Sequence, residues 1–338
     1  MVKEKREDEA VFKFEREYNG NFNTIAAGHY TTTGGFDFTK ILNCNPSPDP
    51  VYNLLASSEE KLIPWYNHIR KRKGPITLMV MPTNRCNLNC DFCSNSARNM
   101  NEELSLAKIR LTFQNLPSLK AIEITGGGDP LCHPLIGDLI HEILIKKLQV
   151  GLITNGILLK KIQYYLQKLH WLRISLNGII DSKQKVPFEI IPLQLYTGTT
   201  YILHEKSPPD YLDQIKEILT ANPILQYCKI CGDTRKSSHS DRIEIRGEKT
   251  YFYDREFHDG NNIPCYLGSI KPVLAPDGRF YPCSNLVLKT GAYEAGDSIS
   301  LEDIWNYKPV VCTCKSCFLW KRNEVVSKLL IDRSVNFV

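Results

Sequence analysis

Three thiols stand close together in Cys86-Asn87-Leu88-Asn89-Cys90-Asp91-Phe92-Cys93, separated by three residues and then by two. A loop with this spacing can wrap its sulfurs round one corner of an iron–sulfur cube, giving three of the four ligands that a [4Fe–4S] cluster needs. The fourth iron is then left open, and an open coordination position marks a metal that meets a substrate. Zinc is the rival, but a structural zinc wants four ligands, and the nearby histidine, His68, lies across a strand.

A second set of thiols lies downstream: Cys265, Cys283 and the pair Cys314-Lys315-Ser316-Cys317. Asp277-Gly278, flanked by apolar residues, signals a hairpin that folds Val273–Leu274 back on Phe280–Tyr281 and brings Cys283 near Cys265. Cys314 and Cys317, at the start of a helix expected over Leu319 to Ile331, complete four thiolates. Cys312 competes with Cys314 for that role. Four cysteines suit a closed zinc site as well as a cluster. Of the remainder, Cys44 and Cys132 are unassigned. The lone pair Cys228-Lys229-Ile230-Cys231 falls on an expected strand, where side chains point to alternate faces, and reads as two core thiols.

Twelve cysteines in 338 residues need a reason other than disulfides if the compartment is reducing. The charged start Met1-Val2-Lys3-Glu4-Lys5-Arg6 lacks the apolar stretch of a signal peptide, and no window is long and apolar enough to span a bilayer. The chain is therefore expected in the cytoplasm without a membrane partner. A net charge of +5 tolerates an anionic partner without demanding one. The basic run Arg70-Lys71-Arg72-Lys73 before Gly74-Pro75 reads as a solvated face.

The elements that must position these thiols alternate. Apolar runs at Thr77 to Met81, Ala121 to Thr125, Val150 to Thr154 and Leu172 to Leu176 read as strands. Between them, helices are expected on the face Leu106, Ile109, Phe113 and Leu116, over Leu135 to Lys147, and over Leu158 to Leu169. The rhythm then weakens. Leu193 to Leu203 holds one or two strands around Gly198, followed by a helix from Tyr211 to Leu219 and a strand from Gln226 to Ile230. Strand–helix alternation implies parallel crossovers. About six strands are too few to close an eight-stranded barrel, so the expected fold is α/β, a partial (β/α)6 TIM-like barrel. It would occupy residues 76–235, after an N-terminal extension over 1–75. A small, loop-rich C-terminal auxiliary-cluster domain would follow over 236–338.

Taken together, these motifs resemble the radical S-adenosylmethionine (SAM) superfamily. The Cys-x3-Cys-x2-Cys segment, with the aromatic Phe92 before its last cysteine, is similar to the superfamily signature. Gly127-Gly128-Asp129-Pro130 resembles the Gly-Gly-Glu-Pro segment that binds the methionine amino group, and Leu131-Cys132-His133-Pro134 continues it in the familiar shape. Thr154-Asn155-Gly156 resembles the family's turn after the third strand, and Ser175 the fourth-strand serine that contacts the ribose. Cys265, Cys283, Cys314 and Cys317 resemble the auxiliary-cluster domain of SPASM/Twitch members, closest to the single-cluster Twitch form.

The resemblance implies an enzyme. Cys86, Cys90 and Cys93 would carry the SAM-binding [4Fe–4S] cluster, and Phe92, Gly127, Gly128, Asp129, Asn155 and Ser175 would contact SAM. A carboxylate at Asp129 could pair with the α-ammonium, although it is one methylene shorter than the family's glutamate. Reductive cleavage of SAM would give a 5′-deoxyadenosyl radical that abstracts hydrogen from a C–H bond of a peptide or small molecule. A second, auxiliary [4Fe–4S] cluster would assist electron transfer, and a flavodoxin- or ferredoxin-type protein would donate electrons. Two alternatives stay open: radical modification of a nucleotide or nucleic-acid base, and a cysteine-rich zinc adaptor without catalysis. His133 and Cys132 are expected to be structural, the latter as a buried thiol.

Overall fold

The computed structural model describes residues 62, 65–232, 242–247, 249–254, 263–287, 298–311, 317 and 319–331. Two compact units divide the chain, Met1–Lys71 and Arg72–Val338. In the first, helix α1 spans Tyr66–Arg70. The residues of the basic run, Arg70 to Lys73, are all exposed, as expected of a solvated segment.

The second unit is built on parallel strands β1 (Thr77–Val80), β2 (Ala121–Ile124), β3 (Gln149–Thr154), β4 (Trp171–Ser175), β5 (Tyr196–Leu203) and β6 (Leu225–Gly232). Each pairs in parallel with the next. This is the α/β fold with the six parallel strands of a partial TIM-like barrel. Helices α2 (Leu106–Asn115), α3 (Ile136–Ile145), α4 (Asn177–Ile180) and α5 (Tyr211–Ala221) lie in the crossovers. Ser105 caps α2, its side chain accepting from the Lys108 amide at 3.2 Å.

Alternation along the strands sets two unlike faces. Leu78, Val80, Ile122, Ile124, Val150, Leu152, Leu172 and Ile174 point outward and are buried with Ile109, Phe113, Leu139, Ile140 and Ile143 of the helices. Each such side chain contributes about 1.5–3 kcal/mol on burial, so this aliphatic layer dominates the stability of the unit. The inner face carries Met79, Glu123, Trp171, Arg173 and Ser175, all half-buried.

The sheet continues on both sides with residues beyond 235. β7 (Arg242–Gly247) and β8 (Thr250–Asp254) form an antiparallel hairpin whose β8 pairs in parallel with β6. On the other side β10 (Val273–Leu274) pairs in parallel with β1, and β11 (Phe280–Tyr281) returns antiparallel on β10. The expected Asp277-Gly278 turn makes that return, with Gly278 at φ 78°. The full order is β11-β10-β1-β2-β3-β4-β5-β6-β8-β7. β9 (Pro264–Cys265) pairs antiparallel with β12 (Val310–Val311). Helices α6 (Ser284–Val287), α7 (Leu301–Trp305) and α8 (Trp320–Ile331) and a 3-10 turn over Leu267–Ser269 complete the described elements of this region.

One expectation changes, and one open choice is settled. Leu159–Lys168 is a 3-10 segment kinked at Ile162 rather than an α-helix, though Leu159, Ile162 and Leu166 still face the core. A spacing of three to four residues fits either helix type, so periodicity alone does not separate them. The stretch around Gly198 is one strand, with its pairing register shifted between Thr197 and Thr199. Strand–helix alternation ends with β6, and the residues beyond it add the β7–β8 hairpin to the sheet.

Candidate functional site

The cysteine loop leaves the C-terminal end of β1, the end at which parallel α/β barrels carry their active sites. Cys86, Cys90 and Cys93 are half-buried free thiols. Local bonds shape the loop: the Leu88 amide donates to Cys86 Sγ at 3.4 Å, and the Cys93 amide to the Cys90 carbonyl at 3.0 Å. Arg98 ties its far side, Nε donating to the Asn84 carbonyl at 2.7 Å and Nη1 reaching Cys93 Sγ at 3.6 Å.

Neighbouring strand ends then grip this loop. The Gly128 amide donates to the Thr83 carbonyl at 3.0 Å and the Asp129 amide to the Arg85 carbonyl at 2.9 Å. Asn95 Nδ2 donates to the Gly127 carbonyl. A Cβ on Gly128 would stand 1.9 Å from the Arg85 carbonyl oxygen, and one on Gly127 would stand 2.0 Å from Asn84 Oδ1. Only glycine lets the loop after β2 lie this close to the cysteine loop. From the end of β3, Asn155 Nδ2 donates to Asn87 Oδ1 at 2.7 Å, inside the cysteine motif itself.

Asp129 is buried, and its carboxylate is engaged within the protein. It accepts from the Thr154 hydroxyl at 3.0 and 2.8 Å, the Asn155 amide at 2.7 Å and the Leu131 amide at 2.9 Å. These bonds fasten the Gly-Gly-Asp-Pro loop to the Thr-Asn-Gly turn. Ser175 closes β4, its Oγ reaching Asn177 Oδ1 at 3.4 Å. Phe92 packs on His204 with ring centroids 4.6 Å apart. His204 is fixed in turn by Asp181 Oδ2 at 3.0 Å, and Asp181 also accepts from Tyr201 Oη at 2.8 Å and Asn177 Nδ2 at 2.7 Å.

Sequence reasoning did not find Asn87, Asn95, Arg98, Asp181 or His204. Asn87, Asn95 and Arg98 lie in or just beyond the cysteine motif, a signal that could have found them. The motif gives no hint of His204, which reaches the loop only through the fold. His133 is structural as expected: Nε2 lies 2.9 Å from the Leu104 carbonyl, and Nδ1 takes the Leu135 amide at 3.2 Å. Cys228 and Cys231 are buried core thiols. Cys132 departs from expectation, being half-buried with Sγ 3.7 Å from Asn87 Oδ1.

Burial, and then the charge of Asp129, push the Cys86 thiol above its ordinary range. Burial, and then repulsion from Cys86 and Cys93, push Cys90 up to about 11. Cys86 and Cys90, both hindered in ionising, belong to a donor set that a shared cationic cluster would relieve, because metal ligation favours the thiolate. Among the described residues, no three His, Cys, Asp or Glu side chains form a single-ion site. A cube binds each thiolate through a different iron, so it does not ask the sulfurs to converge on one point. The donor set fits a cluster.

The second cysteine group is assembled in part. Cys265 and Cys283 are buried in one apolar cluster with Met81, Val273 and Tyr281, and Cys317 packs against it. Asn323 of α8 clamps the Cys265 segment, Oδ1 accepting from the Tyr266 amide at 2.8 Å and Nδ2 donating to the Pro264 carbonyl at 2.9 Å. Cys314, its competitor Cys312, and Cys44 lie outside the described residues.

Residues 80–187 match the family model of the radical SAM superfamily. This segment is a radical SAM domain. A tungsten-containing aldehyde ferredoxin oxidoreductase cofactor-modifying protein of Pyrococcus furiosus is 35% identical over 82 residues, which are 23% of this chain and 23% of that protein. A GTP 3′,8-cyclase of Staphylococcus epidermidis is 34% identical over 119 residues, covering 31% of this chain and 35% of the cyclase. The chain thus spans about a quarter to a third of the curated relatives it matches. Among solved structures, SuiB of Streptococcus suis bound to S-adenosylmethionine shares the fold, with a TM-score of 0.50, 13% identity, and coverage of 86% of this chain and 75% of SuiB. The radical SAM domain holds the first cysteine trio and the segments after β2, β3 and β4. No helix among the described residues is long and apolar enough to cross a membrane.

Proposed function

We propose that the chain is a radical SAM enzyme in which Cys86, Cys90 and Cys93 hold a [4Fe–4S] cluster, and in which Gly127, Gly128, Asp129, Asn155, Ser175 and Phe92 line the place for SAM. The chemistry supplied there is reductive cleavage of SAM to methionine and a 5′-deoxyadenosyl radical, which takes hydrogen from a C–H bond of the substrate. The observation carrying this reading is the three-thiol loop at the end of β1, gripped by the ends of β2 and β3 inside a radical SAM domain.

The protein's own contribution is positional. Asp129 fastens the loop after β2 to the turn after β3 and so sets the two backbone segments that flank SAM. Arg98 and Leu88 donate to cysteine sulfurs, which stabilises thiolate ligands. His204 and Asp181 keep the Phe92 ring, and with it the loop between Cys90 and Cys93, in one orientation.

The gathering of Cys265, Cys283 and Cys317 supports an auxiliary [4Fe–4S] cluster over residues 236–338, with Cys314 as the fourth ligand and an electron-transfer role. The substrate is a peptide or small molecule in this reading. A second reading, a nucleotide substrate, is favoured by the match to a relative named GTP 3′,8-cyclase.

The test is product analysis. Anaerobically reconstituted, reduced protein given SAM is expected to release 5′-deoxyadenosine and methionine. S-adenosylhomocysteine as the sole product would indicate methyl transfer and sink the radical reading.

A further inference from the structure

The inner face of the barrel is polar and aromatic. Where the outward residues of β1 to β4 are mainly aliphatic, the inner face places Glu123 beside Met79 and Gly151 in register, and then Trp171 and Tyr196 in the same row. The next row carries Arg173 opposite Gly198. The aromatic rings pack where glycines make room. A Cβ on Gly151 would stand 2.1 Å from the Trp171 indole, and one on Gly198 would stand 2.3 Å from the Tyr227 ring. Tyr196 and Tyr227 pack at 6.2 Å between centroids. The result is an aromatic floor.

Arg173 stands over that floor, its guanidinium carbon 5.3 Å from the Trp171 ring. The single carboxylate in these rows, Glu123, is already engaged, accepting from Lys271 Nζ at 2.7 Å. Burial alone would raise the Glu123 carboxyl, but Lys271, Arg173 and Arg322 outweigh it and hold the group below the ordinary carboxylate range. Arg173 Nε, by contrast, is buried without a hydrogen-bond partner among the described residues. A buried, unsatisfied donor on a charged group is costly, and a bound anion is one kind of partner that would complete it. Arg173 also sits on the same strand face as Ser175, two residues deeper, or about 7 Å farther from the barrel mouth.

We propose that Arg173, on the floor formed by Trp171, Tyr196 and Tyr227, binds an oxyanion of the substrate, a carboxylate or a phosphate, and so fixes the substrate beneath the SAM place with its reacting end toward the mouth. The planar guanidinium suits either group because both offer two oxygens to its fork. The aromatic rings select substrates whose anionic group adjoins a flat or apolar body.

This inference rests on the radical SAM reading for where the chemistry occurs, but its test uses no turnover. Reconstituted protein is titrated by calorimetry with inorganic pyrophosphate and, separately, with succinate, against chloride at matched ionic strength. One of the two is expected to bind saturably at one site per chain, and which one does so identifies phosphate or carboxylate as the natural group. Arg173→Met is expected to weaken that binding about ten- to a hundredfold, the worth of one hydrogen bond to a charged group. Arg173→Lys, which keeps the charge and loses the fork, should weaken it severalfold, and it serves if the methionine variant fails to retain its iron. No saturable binding of either anion by the unaltered protein overturns the proposal, as does unchanged affinity in the lysine variant. Failure to form 5′-deoxyadenosine would instead strike the radical reading and leave the anion result standing.

Discussion

The Asp129 carboxylate accepts from the Thr154 hydroxyl through both oxygens, at 3.0 and 2.8 Å, and so locks the loop after β2 to the turn after β3. It also takes the Asn155 amide at 2.7 Å. In Asp129→Asn, one oxygen becomes an amide that cannot accept, leaving a buried backbone or hydroxyl donor unsatisfied. We expect a loss of about 1–3 kcal/mol in stability, read as a lower guanidinium midpoint, together with weaker SAM binding. An unchanged midpoint would mean that the carboxylate does not fasten these loops.

The Phe92–His204 contact is expected to hold the cysteine loop shut around its cluster. Aromatic pairs contribute about 0.5–1.5 kcal/mol beyond their burial, so His204→Ala should speed iron loss to a chelator by about two- to tenfold. Identical release from the variant and the unaltered protein would show that the ring contact does not govern the loop.

Gly128→Ala should abolish iron loading at the first site, because its Cβ would stand 1.9 Å from the Arg85 carbonyl oxygen. Gly137→Ala is the matched control. Its Cβ meets nothing closer than the Tyr165 ring at 3.4 Å, and it sits in helix α3. There alanine should be neutral or stabilising by up to about 1 kcal/mol. Normal iron in Gly128→Ala would contradict the close approach.

Much of the scaffold was legible because local apolar runs decide it. The strands at Thr77, Ala121, Val150 and Leu172 are short apolar runs whose outward residues fill the core. The Asp277-Gly278 turn announced its hairpin through residues suited to a positive φ. The β7–β8 hairpin left a local signal that went unread: Arg242-Ile243-Glu244-Ile245-Arg246 alternates polar and apolar residues, the pattern of a strand with one buried face. Within the site, the cysteine spacing identified the loop. Its fastenings to Asn155 and His204, and the union of Glu123, Lys271 and Arg173 on one face, arise from register between distant strands. No local window contains that information.

The auxiliary cluster is tested by counting iron. Unaltered protein should hold about eight iron atoms per chain and Cys283→Ala about four, with the first site intact. Zinc in place of iron, or a full complement in the variant, would show that Cys265, Cys283 and Cys317 serve another purpose.

That Cys86, Cys90 and Cys93 carry a cube with one iron open to SAM is tested most directly by electron paramagnetic resonance of the reduced Cys283→Ala protein, in which only the first cluster should remain. Adding SAM is predicted to shift that cluster's signal, and the shift should vanish when Cys86, Cys90 and Cys93 are also replaced by alanine. A signal unmoved by saturating SAM, or one that survives loss of the three cysteines, would contradict the assignment.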